Sequence, residues 1–383
     1  MAAALLLARD GHRVTLFERF DSPQPLGSGL MLQPTGLAVL AKLGLAELAL
    51  GAGARVDRLF GAAAGSARTV LDVRYSALRR RDAFGIGIHR AALFELLHGA
   101  VRAAGVPLET GREVVGSTRV GAGRALCFRD GSRSLAFDLV VDALGARSTL
   151  ASQAGHALAY GALWASLPWP AIGFDAAALQ QRYRRASVMA GVLPIGRAPE
   201  AKGKCAAFFW SLRADRLDAW RDAGLDAWKA EVEELWPETR PLLDSIRTAD
   251  QLTFARYAHR TLCDPVEPML VHIGDAWHST SPQLGQGANM ALLDAWALAL
   301  GLRESETVDA GCARAIALRR RHIRLYQAMS RVFTPVYQSD GHLLPLLRDR
   351  LVGPLSKRWP ATTLQAAMVS GLVGSPLRPL GLA

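Results

Sequence analysis

Ile273-Gly-Asp-Ala-Trp-His-Ser-Thr-Ser-Pro-Gln-Leu-Gly-Gln-Gly-Ala-Asn-Met-Ala-Leu-Leu-Asp294 is the stretch on which the reading of this chain turns. It is entered through Met269-Leu-Val-His-Ile273, an apolar run of the buried-strand kind. The strand ends in Gly274-Asp275, a turn-rich loop carries Pro282, and Gly285-Gln286-Gly287 opens a helix that is apolar almost all round. Glycines let a ligand approach the backbone closely. The free amides of the first helical turn, aligned with the helix dipole, suit an anionic or polarisable group. Asp275, at the carboxyl end of the strand, can accept hydrogen bonds from ligand hydroxyls. As a bare strand-loop-helix the pattern is common and leaves ligand binding open.

Outward from that stretch the chain reads as an α/β protein. Ala2 to Arg9 is helix-forming, Gly11 suits its cap, and Arg13-Val-Thr-Leu-Phe17 is a short strand ending at Glu18, which is half of a βαβ unit. In a dinucleotide-binding unit the acidic residue after this strand follows a glycine fingerprint by about 20 residues. That distance falls before Met1, so the first strand and the glycine loop are expected upstream of an incomplete start, or lost in a degenerate relative. Helices are predicted over Thr35 to Leu43 and His89 to Ala104, a hairpin over Val114 to Phe128, and a strand over Phe137 to Asp142.

From about Ser152 strand-like segments broken by prolines take over: Tyr160 to Trp164, Ser187 to Leu193 and Cys205 to Leu212. A helix interrupts them between Leu217 and Leu235, and its Trp220 and Trp228, followed by Trp236, are expected to pack against a sheet. The tail from Leu302 is helical and basic, and Pro335, Pro345, Pro354 and Pro360 predict several short helices. The domain reading is therefore 1–151 and 266–302 as an N-terminally incomplete Rossmann-like, dinucleotide-binding domain. A mostly β substrate domain over 152–265 is inserted, and 303–383 is a helical C-terminal region.

Composition narrows the classes of function. Of 383 residues 50% are hydrophobic and 21% charged, which fits a globular protein and neither a disordered chain nor a membrane bundle. The opening Met1 to Ala8 is too short for a membrane span and lacks the basic start of a signal peptide. Basic residues outnumber acidic ones by 45 to 34, giving a net charge of +11. The densest runs are Arg79-Arg80-Arg81, Arg184-Arg185 and Arg319-Arg320-Arg321. No aromatic platform is interleaved with the last of these, so it reads as a solvated helix face rather than a nucleic-acid surface. Four well-separated cysteines suggest neither a zinc site nor a disulfide framework, which is consistent with a cytoplasmic protein.

The order Gly274, Asp275, Ala276, His278, Pro282, Gly285, Gln286, Gly287, Asn289, Asp294, Ala295 resembles the Gly-Asp motif of the flavin-dependent aromatic monooxygenases of the p-hydroxybenzoate hydroxylase type. Arg13 to Arg19, the loop Gly27-Ser-Gly-Leu-Met-Leu-Gln-Pro34, the segment Ile88-His-Arg-Ala-Ala-Leu93 and the tail from Tyr326 to Leu355 extend the resemblance over most of the chain. It implies FAD as cofactor, NADH or NADPH as transient reductant, and O2 with a small aromatic or polyketide-like substrate. By residue it implies Glu18 on the adenosine ribose, Arg19 near the adenine, Arg90 near the phosphate or ribityl region and Asp275, following Gly274, on the ribityl chain. Pro282 would lie beside the isoalloxazine ring, and the amides after Gly285, at Gly287, Ala288 and Asn289, would face its N1 and O2 edge. His278 is read as holding backbone or moving protons. The substrate is expected between this segment and the β-rich domain, with Phe208 and Trp210 on one strand face there.

One departure concerns the reductant. The relatives' middle motif carries Asp-Gly after an alanine, whereas this chain has Asp142-Ala-Leu-Gly-Ala-Arg-Ser148, with Leu144 where the aspartate belongs. Leucine cannot accept the hydrogen bonds that the aspartate takes from FAD and the nicotinamide donor. Two other classes therefore stay open: a flavin-free, degenerate or truncated relative acting as a binding protein, and nucleic-acid binding by the basic surface. Halogenation fits poorly, because Trp164-Ala-Ser-Leu-Pro168 does not match the Trp-x-Trp-x-Ile-Pro run of halogenases.

Overall fold

In the computed structural model, which describes residues 1–23, 27–66, 68–78, 83–152, 155–199, 201–341, 348, 350 and 357–383, three layers carry the site. The first is helical and apolar. Leu5, Leu6, Leu40, Leu43, Leu293 and Leu298, from helices Ala2–Arg9, Pro34–Leu43 and Gly287–Arg303, are buried together. These largely apolar helices bury most of their surface against one another, with Arg9 and Lys42 turned to water at their ends. Gly44, at φ 73°, ends the second of them in a left-handed cap.

Parallel strand pairs flank this layer. Leu16–Phe17 pairs with Leu108–Glu109, and Val140–Asp142 pairs with Leu270–His272, to which Val266–Glu267 adds an antiparallel edge. Of the strand expected over Phe137 to Asp142, only the last three residues join the sheet; Phe137 instead bridges Arg124 of the hairpin Val114–Val120, Gly123–Phe128.

The largest sheet has seven strands, in the order Thr253–His259, His156–Pro168, Cys205–Arg213, Val188–Pro194, Ala178–Arg184, Arg58–Ala63, Thr69–Arg74. It draws its last two strands from the first 151 residues, through the parallel pairing of Arg58–Ala63 with Ala178–Arg184. A small three-stranded sheet, Gly29–Leu32, Gly85–His89 and Ala54–Val56, stands between the helical layer and the large sheet. A Cβ on Gly87 would lie 1.9 Å from the Pro194 carbonyl oxygen, so only glycine allows this approach.

The tail differs from its expectation. Val308–Tyr337 is one helix of 30 residues, capped by the Thr307 side chain accepting from the Ala310 amide, with Pro335 in its last turn. A proline there disturbs few intrahelical bonds, while Cys312, Ile316, Ile323 and Tyr326 bury one continuous face. Pro345, Pro354, Arg79, Arg80, Arg81 and part of the stretch from Tyr326 to Leu355 lie outside the described residues. Among the described residues no helix is long and apolar enough to cross a membrane.

Candidate active site

Gly274 takes φ 58°, and its amide donates to the buried Asp294 Oδ2 at 2.9 Å, which ties the strand end to the second turn of the Gly287–Arg303 helix. A Cβ there would press on Ala291 at 3.1 Å. His278 Nε2 donates to the same Asp294 oxygen at 2.5 Å, and Arg319 Nε to the other at 2.8 Å. Burial opposes the charge on Asp294, yet His278 and Arg319 hold its carboxyl well below the usual carboxylate range. His278 therefore holds the loop to the helix, the structural half of its sequence reading.

Asp275 behaves differently. Its side chain is open to solvent by area, yet enough protein surrounds it for desolvation to raise its pKa, against the opposing pull of His278 and Arg90. A carboxylate at the bottom of an open cleft has both properties. Arg90 is exposed and heads the Arg90–Ala103 helix, where it lies beside Gly27 and acts electrostatically on both Asp275 and Tyr257. Arg90 thus lies within electrostatic reach of both Asp275 and Tyr257, which draws three separate elements toward one candidate cleft.

The first turn of the Gly287–Arg303 helix supplies amides. No side chain caps the Gly287–Arg303 helix, its first intrahelical bond runs from the Met290 amide to the Gln286 carbonyl, and the amides of Gly287, Ala288 and Asn289 have no acceptor among the described residues. Nothing lies within 4 Å of the place a Gly287 Cβ would take. Pro282 is exposed in the short 3-10 turn before this tip, and Gly285 follows in the left-handed region at φ 61°. These are the features a flat, electron-rich ring edge requires, so the residues present fit the isoalloxazine and ribityl portions of FAD.

Asn289 contributes only its amide to this tip. Its buried side chain accepts from the Gln33 amide at 2.7 Å and donates to the carbonyls of Met31 and Gly285, both at 3.0 Å. Glu18 and Arg19 sit apart, at the end of the Leu16–Phe17 strand: the Glu18 carboxylate accepts from the Phe20 amide at 3.1 Å, and Arg19 is near enough to Glu113 to lower its pKa after the larger effect of Arg129. Among the described residues, no contact brings those two to the Asp275 cleft.

On the large sheet the substrate-facing expectation is corrected. Phe208 and Trp210 are buried under the Leu217–Leu235 helix, 6.1 and 6.4 Å from the Trp228 ring, so their face of the strand points away from the cleft. The expected packing of Trp220 and Trp228 against this sheet is what occupies it. Arg90 acts instead on Tyr257, to whose hydroxyl the Trp164 indole donates at 2.9 Å. Burial pushes the Tyr257 phenol up to about 12. No sequence motif marks these two; only their strand alternation opposite Phe208 could have hinted at them.

His89 joins the sheets. Its Nδ1 accepts from the Ala91 amide at 3.1 Å, capping the helix, so the neutral ring favoured by burial donates from Nε2 to Ser166 Oγ at 3.0 Å. Ser166 and Ser28 hydroxyls are 2.9 Å apart, and Ser28 donates to the Ala165 carbonyl at 3.0 Å. Leu144 is 44% exposed, in the turn that packs on the Asp275–His278 segment. Asp142 is no replacement for the absent aspartate, because its buried carboxylate is already engaged by the Leu144 amide, Ser148 and His272.

Fold and cleft define a flavin-binding enzyme, and the comparisons agree. The FAD binding domain family matches residues 1–315, and the chain belongs to this family of FAD-dependent monooxygenases. The 3-hydroxybenzoate 6-hydroxylase of Klebsiella oxytoca is 26% identical over 341 residues, 83% of this chain and 80% of the relative. Among solved structures, a variant of 2-methyl-3-hydroxypyridine-5-carboxylic acid oxygenase superposes with a TM-score of 0.77 at 20% identity, over 98% of this chain and 94% of the other. Klebsiella pneumoniae HpxO, complexed with FAD and uric acid, does so at 0.77 and 18% identity, over 95% and 94%.

Proposed function

We propose that the chain inserts one oxygen atom of O2 into a small, planar, electron-rich ring, with NADH or NADPH as reductant, in a cleft bounded by Asp275, Arg90, Tyr257 and the Gly287–Asn289 helix tip. The observation that carries this reading is the uncapped tip, whose three free amides stand beside the turn of a solvent-open but desolvated carboxylate. Bound FAD would supply the reaction with oxygen. Asp275 would hold the ribityl hydroxyls and Pro282 the ring. The amides of Gly287, Ala288 and Asn289 would stabilise negative charge on its N1 and O2 edge. Glu18 and Arg19 would take the adenosine end, and Arg90 the ribityl or phosphate region.

The relatives named above act on or bind 3-hydroxybenzoate, a hydroxypyridine carboxylic acid and uric acid, all flat polar rings. A ligand of that shape suits the Trp164 and Tyr257 wall, with the exposed Arg90 guanidinium attracting any anionic substituent. The reading places the chain in the cytoplasm, with the sequence-based domain division as its frame.

The test is titration of the purified chain with FAD, followed by NAD(P)H and O2 consumption with candidate hydroxylated aromatic acids. Saturable binding and a yellow protein are expected. A folded, colourless chain that does not take up FAD would favour the flavin-free alternative, for which the exposed Leu144 is the argument. Asp275→Ala removes charge-assisted hydrogen bonds to ribityl hydroxyls, so it should weaken FAD by about 10- to 100-fold. Its thermal midpoint without FAD should stay or rise, because a desolvated carboxylate with raised pKa disfavours the folded state at neutral pH.

A further inference from the structure

One groove takes no part in this cleft. It has a volume of about 590 Å3 and runs between the exposed flank of the Val308–Tyr337 helix and the Val266–Glu267 edge strand. Pro265, Val266, Ala313 and Ile316 give it an apolar floor, and Arg320, Arg321 and Arg324 stand along it with a single carboxylate, Asp264. The size is that of a small-molecule site.

On this helix Arg314 is paired with Glu304 and Arg319 with Asp294, whereas Arg320, Arg321 and Arg324, which line the groove, have no ion-pair partner among the described residues, as is also true of Arg331 further along. Residues three and four apart on a helix are neighbours, so Arg321 and Arg320 each repel Arg324 without relief. Three guanidinium groups against one carboxylate leave two net positive charges over an apolar floor. A monocarboxylate would neutralise half of that excess. A phosphate monoester, a dianion with three acceptor oxygens, neutralises all of it and offers each guanidinium an oxygen.

We propose that this groove binds a phosphate-bearing small molecule, its phosphate held by Arg320, Arg321 and Arg324 and its apolar body lying on Pro265, Val266 and Ile316. Lining from two sides, by Asp264 to Val266 and by the helix, favours a soluble phosphate monoester over the headgroups of a flat bilayer. Asp264 lowers affinity for any anion, and for a dianion more than for a monoanion, so the preference for dianions comes from the three arginines.

Calorimetric titration of the FAD-loaded protein with phenyl phosphate, inorganic phosphate and benzoate tests this, alongside sedimentation with phosphatidylcholine vesicles containing phosphatidic acid. Phenyl phosphate is expected to saturate and to bind at least 10-fold more tightly than either fragment. The double variant Arg320→Gln/Arg324→Gln should lose at least 10-fold in that affinity with its flavin absorbance unchanged. Asp264→Asn should gain severalfold, and serves as the test should the double variant not fold. Absence of saturation, equal affinity in the double variant, no gain from Asp264→Asn, or binding to the vesicles alone would each overturn the assignment.

Discussion

Asn289 shows how one side chain decides whether the helix tip keeps its place. The residue is fully buried, and a Cβ on Gly36 would come within 2.2 Å of its Oδ1, so glycine is required opposite it. Asn289→Ala would leave the Gln33 amide and the Met31 carbonyl buried without partners, a loss of about 2 to 5 kcal/mol to be read from urea unfolding. Asn289→Asp should be worse, since it turns an acceptor towards the Met31 carbonyl. His322 carries a second prediction. Arg319 donates to its Nδ1 at 2.9 Å, so Nε2 carries the proton and donates to the Gly371 carbonyl at 3.0 Å. Burial, then Arg319, brings its pKa down to about 3. Unfolded histidine titrates near 6.5, so the unfolded chain binds the extra proton first, and stability should fall as pH drops from about 6.5 towards 3, by up to about 1.4 kcal/mol per unit. His322→Gln can retain both hydrogen bonds and should remove that slope. Asp294 has the opposite partners and a depressed pKa, so its contribution is present above about 4 and is lost only below that, in both proteins. Unfolding series at several pH values between 4 and 7 separate the two.

At the scale of elements, the segment from Ala361–Val369 to the chain's last described residues acts as a clasp on the helix tip. Gln286 Nε2 donates to the Val369 carbonyl at 2.5 Å, the Tyr326 hydroxyl to Met368 at 2.9 Å, and the Trp296 indole to Leu380 at 2.8 Å. Gly371 sits at the meeting point at φ 78°, where a Cβ would lie 2.6 Å from Thr35 Oγ1 and 2.7 Å from Gln286 Oε1. Gly371→Ala should therefore cost more than about 1 kcal/mol and, by displacing Gln286, release FAD faster in stopped-flow chase experiments. The sequence could not announce this clasp, because the three bonds just named join residues 42 to 84 apart. What it did announce was local: the Gly274-Asp275 turn, the glycines of the helix tip and the helices over Pro34–Leu43 and Arg90–Ala103 depend on neighbours within one or two turns. Strand faces were less legible. Phe208 and Trp210 alternate correctly for a shared face, but alternation does not say whether that face meets a cleft or a helix. The helix that claims it begins only at Leu217 and is bent at Gly224, whose φ of 84° interrupts the pattern.

At the scale of the whole molecule, the proposed function depends on holding the helix tip, which would carry the flavin edge, against a sheet that carries Trp164 and Tyr257. The small sheet between them supplies that link. Its strand Gly85–His89 leads into Arg90, and its strand Gly29–Leu32 follows Ser28, so the His89, Ser166 and Ser28 hydroxyl chain fastens it to the large sheet at the cleft. The fastening requires near-contact of backbones. A Cβ at Gly29 would meet Ile195 Cγ2 at 2.4 Å and Ala207 Cβ at 2.9 Å, which side-chain motion could partly relieve, whereas at Gly87 the obstacle is the Pro194 carbonyl itself. Gly87→Ala must therefore separate two sheets rather than turn a side chain, and overpacking of that kind costs about 1 to 3 kcal/mol or more. Because the Asp275 turn and helix tip lie in the helical layer, the variant should still take up FAD. Because Arg90 would move relative to Tyr257, substrate turnover should fall by more than 10-fold, with NAD(P)H oxidation less coupled to product. A wild-type coupling ratio in a folded Gly87→Ala protein would show that the small sheet does not set the distance between the two halves of the cleft.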